Sequence, residues 1–531
     1  MDAPERATER LGDRKSRHAL SALLVLAFLL RIWGLTYGLP FVEEFTSDAE
    51  SFVPDALRLT LADPSPHWFQ HPGSTVIYPL AILFHVPNRL ARTVGLVDSY
   101  STESFERDPT PYYAAGRLVA AVEGTFAVLV TYLIGKEIGH RRLGLVAGGL
   151  LAVSPLHVYV CHLARTDSPV VLFTSLSLLC CMKIVRERAW RYYIAAGASA
   201  GLAVSTKYYG LLVVACLPLA HLLGAFRERG EGERRNEAQG LLQLLLGVAF
   251  VVIAFAATSP FAIVEYRTTW EGILGEARTT HLSADGLSPL GNLWWYATRG
   301  APVAMGWAAV AMVPVGLWRT VRRKTLSVAV LGAFVVVYVG GISALALHWD
   351  RWLLPAVPAL AVVSALGVEQ LLEWLGRVVR PGSIRSLCGA LLLALVAWQP
   401  ASETIVGNIN RSLPDTRILA REWIQTNLPA GSAVATDAYS APLDADRFRL
   451  MKTFSLSYEP LEFYREQGIE YLVTSGRMRE RFAAESDRYE SNLEFYGRLE
   501  RQGALIYQIA PIPWQRTGPL VSVYQVAGDR A

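Results

Sequence analysis

Five stretches of this chain set ionisable side chains at the ends of apolar runs, where they could act on a substrate delivered from a lipid surface. The first carries Glu43, Glu44, Asp48, Glu50, Asp55 and Asp63. "HLARTDSP" carries His162, Arg165 and Asp167, and "STKYYG" carries Lys207. Residues 259–291 include Glu265, Arg267, Glu276, Arg278 and His281, and "HWDRWLLP" carries His348, Asp350 and Arg351. A positioned Asp can take a proton from an incoming hydroxyl or amine. A departing phosphate needs positive charge aimed at it, a compact point from Lys or a planar fork from Arg, and both act more strongly in a partly dry site. Together these groups suit transfer from an anionic, lipid-linked donor. Each also has an ordinary local role. Ser47-x-x-Glu50 reads as a capping box, Asp48 in a first turn suits the helix dipole, and interfacial Lys or Arg can simply snorkel to headgroups.

The elements that must carry these groups are membrane spans. Hydrophobic residues make up 52% of the sequence and charged ones 18%, against roughly a quarter charged in soluble domains. The apolar residues come in blocks about long enough to cross a hydrocarbon core of roughly 30 Å. Basic residues mark cytoplasmic span ends, and six clusters qualify: Arg10/Arg14/Lys15/Arg17, Lys136/Arg141/Arg142, Lys183/Arg186/Arg188/Arg191, Arg227/Arg229/Arg234/Arg235, Arg319/Arg322/Arg323/Lys324 and Arg377/Arg380/Arg385. Turning all of them inward gives spans near 19–38, 112–135, 143–163, 168–185, 192–206, 208–226, 240–258, 292–318, 325–347, 353–375 and 385–400, about eleven in all, with the tail outside. The first block is too long, and lacks the cleavage site, for a signal peptide. Residues 39–111 then form one long external loop. Within it, 52–62 and 76–86 ("VIYPLAILFHV") are too short to cross and read as interfacial or re-entrant helices. All the acids and cations of the opening list fall at one membrane depth. Inside the second span, Arg117 is expected near the outer boundary and Glu123 hydrogen-bonded between spans. The net charge of +4, with no basic, aromatic-interleaved patch, points away from nucleic acid. Five cysteines, all in apolar blocks and without ligand spacing, indicate neither disulfides nor zinc.

Four segments in order resemble a known family. "SDAESFVPDALRLTLADPSPHWFQHPGSTVIYPLA" is similar to an acidic first-loop motif, and "SPLHVYVCHLARTDSPVVLF" to a segment ending in Thr-Thr-Asp. "GLAVSTKYYGLLV" is similar to a Thr-Lys-Tyr segment and "DRWLLPAVPAL" to an Arg-Tyr-Leu-Leu-Pro motif. These belong to the polyprenyl-phosphate-sugar-dependent glycosyltransferases of the GT-C fold, which include protein O-mannosyltransferases, bacterial lipid A aminoarabinose transferases and related lipopolysaccharide-core sugar transferases. The likeness covers residues 20–370. It implies Asp48 as the catalytic base, Asp167 as a second acid that orients the acceptor or helps hold a metal, and Lys207 and Arg351 as ligands of the donor phosphate. Ala49 stands where the family has Glu, and Glu50 is the candidate to replace it as a catalytic residue. Tyr208, His71 and His281 are candidate substrate contacts. A divalent metal cation, if used, would be held by Asp48 and Asp167; His67 and His71 read as helix-flanking packing rather than metal ligands.

Three regions follow: a cytoplasmic tail over 1–18, a membrane glycosyltransferase region over 19–400 with its catalytic loop at 39–111, and an extracytoplasmic α/β domain over 401–531. In the last, "DTRILAREWIQTNLPAGSAVATD" reads as a helix stopped by Pro429 and Gly431, then a short strand, and "IEYLVTS", "ALIYQIA" and "VSVYQVA" as further strands. The expected fold is thus an α-helical polytopic membrane protein of GT-C type with a small α/β domain. The expected activity is inverting transfer of a sugar from a polyprenyl-phosphate donor to a lipid, glycan or protein acceptor, outside a bacterial inner membrane. A lipid or glycan flippase and a non-catalytic binder of lipid-linked sugar are the alternatives.

Overall fold

The computed structural model describes residues 3–46, 50–93, 100–230, 237–276, 279, 281–282, 284, 287–323 and 325–526. The chain is a polytopic helical membrane protein with a small sheet domain. Seven described helices are long and apolar enough to cross a bilayer: Thr110–Ile138, Asp167–Glu187, Tyr208–Gly230, Glu237–Thr258, Leu326–Ser343, Asp350–Val378 and Ser383–Ser412. An eighth is added if Pro289–Met305 and Trp307–Arg323, bent by 113°, count as one span. The expected eleven are therefore not reached by length and composition. The block 192–206 lies in a helix of only 17 residues, Trp190–Thr206. The block 143–163 is split into Arg141–Ala152 and Pro155–Val160, because Pro155 has no N–H to continue the ladder. The final span runs to Ser412 rather than stopping at 400.

The break at 153–154 explains the one charge in the first apolar block. Arg31 is fully buried and donates to Leu151 O (3.2 Å) and Ala152 O (3.3 Å), carbonyls left free where the Arg141–Ala152 helix ends. It also donates to Ala27 O (2.8 Å) and lies 2.7 Å from His157 Nδ1. In a medium without water, freed carbonyls must find protein donors, and one guanidinium supplies several. Elsewhere the helices approach through small residues. Gly316 lies on Val363 O, Gly367 on Met312 O, and Gly197 on Gly247 O, each too close for any Cβ.

The two ends of the bundle differ. At one end the basic clusters are paired: Lys183 and Arg186 with Glu137 (both 2.9 Å), Arg319 with Glu369 (3.0 Å) and Arg323 with Glu373 (2.9 Å). At the other end sit the first-loop helices Phe52–Arg58 and Ser74–Thr93, packed through Phe52, Val53, Ile77, Leu80 and Phe84 against Tyr112. Arg117 lies toward this end, as its span position suggested. Glu123 has no hydrogen-bond partner among the described residues, contrary to expectation; it sits on a turn whose neighbours Val122 and Phe126 are exposed, so no facing span brings it a donor.

Residues beyond 412 form a five-stranded mixed sheet, order β2-β1-β3-β5-β4, with β1 (Ala433–Thr436) parallel to β2 (Arg449–Lys452) and to β3 (Tyr471–Ser475). β5 (Val521–Gln525) runs antiparallel to both β3 and β4 (Ala504–Ile509). This domain clamps the start of the first loop. Arg417, buried against Asp415 (2.8 Å), donates to Tyr37 Oη (2.7 Å) and Glu44 O (2.9 Å), while Lys452 pairs with Glu44 (2.9 Å). Leu282 enters its core, and Arg481 donates to Leu282 O (3.2 Å).

Candidate active site

Three chain corners converge at the loop-bearing end. Asp167 opens the Asp167–Glu187 helix, Lys207 sits at the extended corner between Trp190–Thr206 and the short helix Tyr208–Ala215, and Arg351 lies in the turn Asp350–Ala356. Lys207 and Asp167 are almost fully buried, and Lys207 Nζ donates to Asp167 Oδ1 at 2.7 Å. Arg165 Nε stands 2.8 Å from Asp167 Oδ2, an ion pair by distance whose alignment is not that of a hydrogen bond. The Arg351 guanidinium stacks on Trp349 at 4.5 Å, and Lys207 Nζ lies 5.0 Å from the centre of the Tyr209 ring. Asp167 Oδ2, Arg165 Nε, Arg351 Nε and the Tyr209 hydroxyl are all buried without a hydrogen-bond partner among the described residues. Native proteins pair most buried polar atoms; Arg165 Nε and Asp167 Oδ2 at least face each other as an ion pair, whereas Arg351 Nε and the Tyr209 hydroxyl have no such partner, which leaves the cluster open to a polar ligand. Three cations around one carboxylate make that ligand an anion.

The first loop closes onto this cluster through its backbone. Tyr208 Oη donates to Phe69 O (2.8 Å), Thr75 Oγ1 meets Thr206 Oγ1 (2.7 Å), and Gly73 N donates to Thr206 O (3.3 Å). Gly73 holds φ +61°, and an added Cβ would stand 2.5 Å from the Phe52 ring, so only glycine makes this turn. The result brings His71 to the cations. Burial, then the positive charge of Lys207, Arg165 and Arg351, push its pKa down to about 3, with Asp167 opposing. His71 is therefore a neutral imidazole at ordinary pH, able to hydrogen-bond a substrate without adding charge.

Of the residues singled out in the sequence, Asp167, Lys207, Arg351 and His71 come together. His281 stands one ring away, 4.8 Å from Trp349, whose ring also carries Arg351. Tyr208 is turned to the loop backbone instead, and its neighbour Tyr209 faces the cluster. Asp48 and Ala49, with Ser47, lie outside the described residues. The capping box expected at Ser47 and Glu50 thus falls in part outside the described residues; the Phe52–Arg58 helix that follows begins after Ser51 and has no side-chain cap. The buried Glu50 carboxylate accepts from Arg117 Nε (2.9 Å), Arg117 Nη2 (2.7 Å), Ala164 N (2.9 Å) and Thr46 Oγ1 (3.2 Å). Four donors leave little room for a catalytic task, and the group ties the chain after 47–49 to the backbone three residues before Asp167. As for a metal, both Asp167 oxygens face cations at 2.7 and 2.8 Å, and among the described residues no three His, Cys, Asp or Glu side chains are arranged to hold one. Asp48, the other expected ligand, lies outside the described residues. Arg165 and Tyr209 are the cluster members that sequence reasoning left without a role; their adjacency to Asp167 and Lys207 was the available signal.

A second junction links the loop to residues 259–276. His67 Nδ1 lies 3.1 Å from Glu265 and Nε2 3.0 Å from Asp63, and Ser65 Oγ donates to Glu265. Hydrogen bonds to Glu265, then to Asp63, raise the pKa of this exposed imidazole above 6.5. A raised folded-state value stabilises the junction below the unfolded pKa, and the gain fades as pH climbs through the folded one. Amides near 63–70, their rates corrected for the intrinsic pH dependence of exchange, should thus be more strongly protected at pH 6 than at pH 8.5, and His67→Ala should erase the difference in protection. An unchanged pH dependence in the variant would assign it elsewhere.

Comparison with known proteins bears on the fold. Residues 113–263 match the family model of dolichyl-phosphate-mannose-protein mannosyltransferases. No curated protein sequence matches the chain. Among solved structures, ArnT from Cupriavidus metallidurans in the apo state is similar over 98% of this chain and 100% of its own, at 15% identity and TM-score 0.52. The Archaeoglobus fulgidus oligosaccharyltransferase in the apo form is similar over 96% of this chain and 75% of its own, at 14% identity and TM-score 0.51. The archaeal oligosaccharyltransferase AglB from the same organism, in complex with an inhibitory peptide and a dolichol-phosphate, aligns over 96% and 74%, at 15% identity and TM-score 0.50. The chain therefore has the GT-C fold, carrying within it a segment that matches the dolichyl-phosphate-mannose-protein mannosyltransferases.

Proposed function

We propose that this chain is an integral-membrane glycosyltransferase that moves one sugar from a polyprenyl-phosphate-linked donor to an acceptor, with inversion. The observation that carries the reading is the buried gathering of Arg165, Lys207 and Arg351 around Asp167, with Arg351 Nε and the Tyr209 hydroxyl left without partners among the described residues. In this reading Lys207 and Arg351, joined by Arg165, neutralise the departing lipid phosphate. Asp167 holds the cations in place between turnovers and orients the acceptor once the phosphate takes them. Asp48 removes the acceptor proton as the hydroxyl or amine attacks in line, so the anomeric centre inverts without a covalent intermediate. His71 and His281 flank the sugar. The phosphate lipid bound to AglB supports a lipid-phosphate donor. The reaction side is extracytoplasmic and the membrane a bacterial inner membrane, with residues 1–18 in the cytoplasm.

Purified protein given radiolabelled lipid-phosphate sugars tests this. Transfer supports the reading; translocation without transfer, or binding alone, replaces it with a flippase or a non-catalytic binder. Lys207→Ala is expected to weaken donor affinity about tenfold to a hundredfold, since a hydrogen bond to a charged group contributes about 1.5–3 kcal/mol. Lys207→Arg, which keeps the charge, should lose less. Unaltered affinity in Lys207→Ala would remove Lys207 from the phosphate.

A further inference from the structure

The helix Tyr266–Glu276 buries no residue, yet it has three distinct sides. At 100° per residue, Glu265, Thr269, Gly272, Ile273 and Glu276 form one face, and all are partly covered. That face meets the first loop: Gly272 lies against the Phe69–Gln70 backbone, where an added Cβ would stand 3.1 Å from Gln70 N, and Glu265 holds Ser65 and His67. On one flank Arg267, Thr268, Glu271 and Gly275 are exposed and polar. On the other, Tyr266, Trp270 and Leu274 recur every fourth residue and are 62%, 61% and 56% exposed, with Ile263 continuing the stripe.

We propose that this apolar flank is seated in the lipid headgroup boundary on the side of the site. The occupant is argued from continuity. The helix follows the span Glu237–Thr258, whose Val252 and Ile253 face outward, after the one short helix Pro260–Val264, which exposes Ile263 and Val264, and it precedes Pro289–Trp295, which exposes Leu290 and Trp294. Tyr and Trp concentrate at membrane interfaces because their rings are amphipathic, and an apolar stripe opposite charged residues is what an interfacial helix presents. Seating would hold the covered face, and through it residues 65–70, at a constant height above the hydrocarbon. The first loop's delivery of His71 to the cations would then depend on the bilayer.

Nitroxide labels test this in the full chain in phospholipid nanodiscs, at Trp270→Cys and Leu274→Cys, with Thr268→Cys and Glu271→Cys on the polar flank. The unsubstituted chain, whose five cysteines are buried or partly so, supplies the background. Labels at 270 and 274 are expected to collide with oxygen several-fold more, relative to a water-soluble nickel complex, than those at 268 and 271. Equal, water-like ratios at all four positions would overturn the proposal. So would exclusion of both reagents at 270 and 274, which means a protein cover, or spin–spin broadening, which means a second copy. Collision ratios read the lipid seat whether or not the chain transfers sugar.

Discussion

Asp48→Asn should lower sugar transfer about a hundredfold to ten-thousandfold, the range for losing a positioned general base, while donor retention changes little. The asymmetry follows from the separation of tasks. The donor phosphate is matched by Lys207, Arg165 and Arg351, none of which this substitution touches, whereas Asn cannot take a proton at working pH. The segment carrying Asp48 is bracketed by firm contacts. Upstream, Arg417 donates to Glu44 O at 2.9 Å, and downstream Glu50 accepts from Ala164 N at 2.9 Å, next to the corner that bears Asp167. Turnover of lipid-phosphate sugars, measured beside equilibrium binding of polyprenyl phosphate, separates the two effects. Wild-type turnover in Asp48→Asn would eliminate Asp48 as the base and pass the role to another group, such as the neutral His71 beside the cations.

Arg117→Ala should cost about 3–5 kcal/mol of stability, the usual consequence of stranding one member of a buried ion pair. Arg117 and Glu50 are each about 1% exposed, and Arg117 also donates to Leu35 O (2.8 Å) and Tyr37 O (2.7 Å). Its loss would therefore leave a bare carboxylate and two carbonyls unserved at once. Total stabilities are commonly about 5–15 kcal/mol, so much of the folded population would be lost on mild heating. Glu50→Gln should be gentler, since an amide oxygen still accepts from Ala164 N. The double variant Glu50→Gln with Arg117→Met, which leaves no charge behind, should recover part of the loss. Thermal unfolding in nanodiscs reads the series; a shift within about 0.5 kcal/mol for Arg117→Ala would show the pair to be dispensable.

The Glu50 pair also shows what local pattern leaves out. Ser47-x-x-Glu50 has the spacing of a capping box, but spacing does not record what lies across a bundle. Arg117, 67 residues on, is the partner the fold brings to Glu50, while Ser47 lies outside the described residues. The choice between Tyr208 and Tyr209 failed for a related reason. The corner after Lys207 is extended before it tightens, so no helical periodicity was available to say which ring faces inward. In the sheet, β1, β3, β4 and β5 announced themselves by β-branched and aromatic runs. β2, "RLMK", did not, because an edge strand with exposed ends needs no apolar alternation.

By itself the sequence determined that this chain lives in a bilayer, that its basic clusters share one end of the bundle, and that the "TDSP", "TKYY" and "DRWLLP" corners share the other. Apolar run length and charge placement are one-dimensional quantities, and the bilayer converts them directly into depth. Tertiary structure alone decided which side chains at that depth meet: Arg165 with Asp167, His71 with the cations, Glu50 with Arg117. Partners across a bundle are chosen by the rotation of each helix about its axis and by where it breaks. Both depend on packing contacts between residues tens to hundreds of positions apart, which no local window contains.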